Sequence, residues 1–154
     1  MSLSDVFNIA GSGMSAQSVR LNTVASNIAN AETVSSSDGE TYRARQAVFS
    51  TVFNAQSGMA QGMGQGMGQS LFAGDDQSGQ GVEVRGIVQS DAELQARYEP
   101  DHPMANEEGY VYYPNVNVVE EMANMMSASR AYQTNVEIMN AAKTMLQRVL
   151  TLGQ

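Results

Sequence analysis

Residues 117–152 run Asn117-Val118-Val119-Glu120-Glu121-Met122-Ala123-Asn124-Met125-Met126-Ser127-Ala128-Ser129-Arg130-Ala131-Tyr132-Gln133-Thr134-Asn135-Val136-Glu137-Ile138-Met139-Asn140-Ala141-Ala142-Lys143-Thr144-Met145-Leu146-Gln147-Arg148-Val149-Leu150-Thr151-Leu152. Asn117 followed by Glu120 forms a variant of the capping box, which satisfies the first free N–H groups of a helix. Val118, Met122, Met125, Tyr132, Val136, Met139, Leu146 and Leu150 then fall on one seam of alternating three- and four-residue steps. Ser129 and Lys143 interrupt it, with Ala142 covering beside the lysine. A second apolar row, Ile138, Met145, Val149 and Leu152, widens the stripe beyond a two-stranded seam. No proline occurs from Val116 onward, and Gly153 stands where a C-terminal cap belongs. A helix over 117–152 would be about 54 Å long. A compact chain of 154 residues is only roughly 40 Å across. The helix therefore outruns its own domain, and its stripe needs a second helix and then neighbouring chains. An ordinary antiparallel hairpin inside a bundle would satisfy the same periodicity.

The natural partner lies at the other end. Leu3, Phe7, Ala10, Met14, Leu21, Val24, Ile28 and Ala31 repeat the three-four spacing, with Gln17 as the polar interruption. Ser4 can cap the first turn. Gly11-Ser12-Gly13 weakens the segment, since each glycine costs about 1 kcal/mol against alanine. This helix should be marginal on its own.

The charge of −8 is distributed in keeping with this division. Residues 1–31 and 117–154 are each neutral, and 32–116 carries 12 acids against four arginines. The charge-poor ends are read as protein-contacting and the acidic middle as facing solvent. Within the middle, Asp38-Gly39 is a turn signal, and Tyr42–Phe53 reads as a strand. Val82 and Val84, then Ile87 and Val88 after Gly86, read as a second strand with a bulge at the glycine. Gly109–Tyr113 reads as a third, ended by Pro114. Between the first two, residues 57–70 repeat Gly-Met and Gln-Gly dipeptides and read as a flexible loop. An adaptable methionine-rich contact surface is the alternative.

Composition excludes much chemistry. With no cysteine there is no disulfide, thiolate nucleophile or sulfur-based zinc site. The acidic balance argues against a nucleic-acid partner. Nothing approaches 18 consecutive apolar residues, so no spanning helix is expected. No cleavable secretory signal is legible in the first residues. His102, the single histidine, lies beside Glu99 and Asp101 between two prolines and reads as a turn, with acid–base or metal chemistry as the rival. Asp75-Asp76 opens like a calcium loop, but Gly86 stands where the bidentate glutamate belongs. Gly11-Ser12-Gly13 is too short for a phosphate loop. The methionines at 122, 125, 126, 139 and 145 are core filling before they are soft metal ligands. No cofactor, metal or catalytic residue is assigned.

Three motif groups stand out: Ile9-Ala10-Gly11-Ser12-Gly13-Met14-Ser15-Ala16-Gln17 with Ala25-Ser26-Asn27-Ile28-Ala29-Asn30-Ala31; Tyr98-Glu99-Pro100-Asp101-His102-Pro103 through Pro114-Asn115-Val116-Asn117; and Glu120-Glu121-Met122 with Ser129-Arg130-Ala131-Tyr132-Gln133-Thr134-Asn135-Val136. In these motifs the chain resembles the bacterial flagellar basal-body rod proteins. The likeness covers about 1–53 and 82–154, and 54–81 reads as a lineage-specific insertion. Val34-Ser35 after Thr33, where many relatives have Pro-Gly-Tyr, points to the proximal-rod type.

The resemblance implies a structural subunit, mainly α with a small β-rich insertion. Its long N- and C-terminal helices (1–31 and 117–154) would pair as an elongated coiled-coil-like domain around an outward segment at 32–116. It implies partners among copies of itself, other rod proteins, adjoining basal-body components and the flagellar type III export apparatus. It also implies a periplasmic rod location reached without a cleaved signal. The assembly interface expected is Phe7, Met14, Leu21, Val24, Ile28, Met122, Met125, Tyr132, Val136, Met139, Leu146 and Leu150. The alternatives are a soluble helical-hairpin binding module or export chaperone, and a small enzyme using Glu99, Asp101 and His102.

Overall fold

The computed structural model describes residues 3–52 and 81–152. The expected loop at 57–70 and the cap position Gly153 lie outside them. Six elements follow in order: helix α1 (Leu3–Ala29), strands β1 (Arg45–Thr51), β2 (Val82–Gln89), β3 (Gln95–Tyr98) and β4 (Tyr110–Tyr113), and helix α2 (Val118–Leu152). The architecture is two long terminal helices with two small antiparallel sheets, β1–β2 and β3–β4.

Each helix starts and stops for local reasons. Asn117 Oδ1 accepts from Val119 N at 3.1 Å and Glu120 N at 3.4 Å, and Asn117 O accepts from Glu121 N at 2.9 Å. That is the expected cap, and Glu120 and Glu121 add negative charge at the positive end of the dipole. α1 ends at Ala29, two residues before the expected limit. Asn30 Nδ2 donates to Ser26 O at 2.7 Å and Thr33 Oγ1 to Asn30 O at 2.7 Å, turning the chain.

The helices lie antiparallel: Arg20 meets Asn124, Gly13 meets Asn135 and Gly11 meets Met139. Their shared face differs from the row of large residues expected in the sequence. On α2 it runs through Glu121, Met125, Ala128, Asn135, Met139 and Ala142, all buried or half-buried. On α1 it uses Ala10, Gly13 and Val24. A Cβ on Gly13 would stand 2.9 Å from Asn135 Nδ2, so the glycine counted as a weakness leaves room for the Asn135 side chain. Helix axes approach most closely where side chains are small, and the small face wins the intrachain contact.

β1 and β2 pair with a register shift between Val48 and Phe49: Val48 opposes Gly86 and Phe49 opposes Val84. Arg85 is the extra residue, so the bulge falls beside the glycine that signalled it. This ribbon lies along α1. Ser12 Oγ accepts from Val82 N at 3.1 Å near one end, and Asn27 bonds Arg45 at the other. Fifteen helical residues rise about 23 Å and seven strand residues about 23 Å, so the two elements stay in step. At the near end Gly81 has φ +148°, and a Cβ there would come within 2.5 Å of Ser12 Oγ.

β3 was not expected; it pairs residue for residue with β4, from Gln95 with Tyr113 to Tyr98 with Tyr110. The far side of β4 bridges to Ser35 through Ser35 N to Tyr112 O at 3.2 Å and Tyr112 N to Ser35 O at 3.0 Å. Asn115 ties the sheets together, accepting from Ala44 N at 2.7 Å and donating to Ala92 O at 2.9 Å.

Candidate assembly surface

The buried side chains themselves direct attention outward. Among the described residues the buried hydrophobic ones are five alanines (10, 16, 44, 128, 142) and three valines (24, 111, 116). No described leucine, isoleucine, methionine, phenylalanine or tyrosine is buried. The large apolar side chains are instead half-buried or exposed, against their usual preference for the interior.

Of the residues expected at the interface, Val24 is buried within the chain. Phe7, Met14, Leu21, Ile28, Met125, Val136 and Met139 are half-buried along the helix pair. Met122, Tyr132, Leu146 and Leu150 are exposed. Val119 and Met126, which the seam did not contain, are exposed too, Val119 most of all at 77 %. With Met122 they follow a 3-4 spacing and form one patch turned away from α1. Ile138, Met145 and Val149 form a second patch, roughly 125° around the helix at 3.6 residues per turn. After Ala142 no described side chain of α2 is buried, so Leu146 and Leu150 stand free at its end.

The ribbon adds Val48, Phe49, Val52, Ile87 and Val88, all exposed. The surface thus has several apolar faces pointing in different directions. A closed two-fold dimer uses one self-complementary patch, whereas separate faces on one subunit suit heterologous contacts that propagate.

The groups with possible chemistry are occupied in holding a loop. His102 Nδ1 accepts from Met104 N at 3.1 Å, and His102 O accepts from Ala105 N at 2.9 Å. Glu99 Oε2 accepts from Tyr113 Oη at 3.4 Å. Asn106 Oδ1 accepts from Glu108 N and Tyr110 N, closing the hairpin, and Tyr98 packs edge-on against Tyr110. Among the described residues no group of three or more His, Cys, Asp or Glu is placed to hold a metal. None of the described helices is long and apolar enough to cross a membrane.

Comparison with known proteins identifies the family. Residues 7–34 match the family described as flagella basal body rod protein, and 107–152 match the flagellar basal body rod FlgEFG protein C-terminal family. Relatives called flagellar basal-body rod protein FlgC are similar from end to end. The Salmonella typhimurium protein is 46 % identical over 154 residues and the Escherichia coli O157:H7 protein 47 %, each covering all of both chains. The Borreliella burgdorferi protein is 35 % identical over 158 residues, covering all of this chain and 99 % of its own. The first match includes most of α1, and the second includes β4 and all of α2, the helix with the most exposed large apolar side chains. This chain belongs to the flagellar basal-body rod protein family, as a structural subunit of the rod and not an enzyme.

Proposed function

We propose that the chain is a proximal-rod subunit that polymerises through its terminal helices into the shaft transmitting rotation across the periplasm. In this reading 1–31 and 117–154 pair as a coiled-coil-like inner part, and 32–116 faces outward. Neighbours are copies of the chain, other rod proteins and adjoining basal-body components, and the subunit arrives through the flagellar type III export apparatus.

One observation carries the proposal: the chain buries alanine and valine internally and leaves Met122, Met126, Leu146, Val149 and Leu150 in solvent. Each large apolar side chain recovers about 1.5–3 kcal/mol when covered, so the missing core forms between subunits. Leu146→Asp is the test. Leu146 is 41 % exposed in the isolated chain, so the variant should fold and export normally. In the polymer it would bury an unpaired carboxylate, and the cells should lose motility and lack rods. Normal swimming with Leu146→Asp in the rod would overturn this interface.

A further inference from the structure

Between α1, β1 and the first turn of α2 lies a cleft of about 370 Å³, lined by Arg20, Val24, Arg45, Phe49, Glu120 and Glu121 among others. Its two cations are engaged within the chain. Arg20 donates to Asn124 Oδ1 at 3.0 Å, and the Arg45 guanidinium lies 5.4 Å over the Tyr42 ring. Glu121 is different. It is only 8 % exposed, and its Oε2 has no hydrogen-bond partner. A carboxylate oxygen removed from water without a donor is strongly unfavourable, and such sites are normally completed by a cation or N–H group. Exposed Glu120 at the rim adds a second negative charge.

We propose that the cleft receives the Arg148 side chain of a second copy, its guanidinium donating to Glu121 Oε2. The cleft opens to solvent, and the one unpartnered acceptor in it is a single carboxylate oxygen, which one long side chain can reach. Val24 and Phe49 supply an apolar wall for its methylene stem, and Glu121 the acceptor for its planar donors. Arg43 is paired with Asp38 at 3.1 Å and Arg97 stacks on Tyr113 at 4.4 Å, so each has a partner within the chain, and exposed Arg85 and Arg130 are the rivals that the cross-linking below separates. Arg148 stands in the stretch of α2 where every side chain from Lys143 to Thr151 is exposed, with apolar Met145 and Val149 beside it. The end of one α2 would thus lock onto the start of the next.

This pairing rests on the self-assembly reading, and the two can fail separately. Because the chain has no cysteine, single cysteines report contacts cleanly. Cells making both Glu120→Cys and Thr151→Cys versions would be lysed, their basal bodies isolated and oxidised, and the cross-linked dimer read on a gel. The expected result is a 120–151 dimer that falls about tenfold when Arg148→Ala is added to the Thr151→Cys chain, as loss of a charged hydrogen bond requires. The near-isosteric Glu121→Gln should lower it similarly while leaving monomer helicity unchanged. Subunits present in rods without this dimer, or with Glu120→Cys cross-linking to Arg130→Cys or Arg85→Cys instead, would overturn the pairing alone. Absence of the unaltered chain from isolated rods would remove the rod-subunit reading, and this pairing with it.

Discussion

Asn27 has no exposed surface, yet its amide is fully used. Its Oδ1 accepts from Tyr42 Oη at 2.8 Å and Arg45 N at 2.9 Å, and its Nδ2 donates to Arg45 O at 2.8 Å. Asn27→Ala would orphan three polar groups at the joint between α1 and β1. We expect a loss of about 3 kcal/mol, read from the denaturant midpoint. The same joint has a pH signature. Burial raises the Tyr42 hydroxyl above its ordinary range, Arg45 opposes this and Glu121 adds to it. The folded chain therefore holds that proton to higher pH than the unfolded chain. Its contribution is complete below about pH 10 and is lost as pH rises beyond it. Tyr42→Phe should flatten that alkaline decline in a melting series above pH 9. None of this was legible residue by residue. Tyr42 read as a strand position and Asn27 as part of a motif, because hydrophobic periodicity is blind to a polar side chain that is buried with all its bonds made.

Most elements could be read from the sequence. Three-four spacing and the Asn117 cap gave both helices within about two residues, and Gly86 marked the bulge. Asn117→Ala should cost α2 about 1 kcal/mol, seen as a lower melting temperature with the fold retained. β3 was missed because Gln95-Ala96-Arg97-Tyr98 has no β-branched residue and no alternation; all four side chains are exposed, and only pairing with β4 defines the strand. The inner face of α2 was legible only in part, through Met125 and Met139, for a different reason. Periodicity shows which side chains avoid water but not which chain covers them. The intrachain contact selected Ala128, Asn135 and Ala142 because Gly13 allows close approach there. Gly13→Val should therefore destabilise by about 1–3 kcal/mol through the Asn135 contact, opposite to the gain expected of replacing glycine in an isolated helix. A thermal melt decides the sign.

At the scale of the molecule, a chain whose described core is alanine and valine has little to hold long helices rigid by itself. Helix nuclei are unfavourable, and tertiary packing supplies most helical stability. We expect circular dichroism of a dilute monomer to show less helix than the assembled state, with helicity rising with concentration. Full helicity independent of concentration would contradict an intersubunit core. The acidic middle is intelligible at this scale too. All of the −8 lies between the neutral ends, where repulsion does not oppose the packing of the helices.

The join between β1 and β2 has a consequence for how this protein can vary. Val52 N donates to Gly81 O at 3.0 Å, so the chain leaves the fold and re-enters it at one hydrogen bond. Whatever lies between is asked only to begin and end at the same spot, and doubling its length adds about 0.6 kcal/mol of closure entropy. Because Val52 and Gly81 meet, we expect a short turn joining them in place of residues 53–80 to leave the helical circular dichroism unchanged.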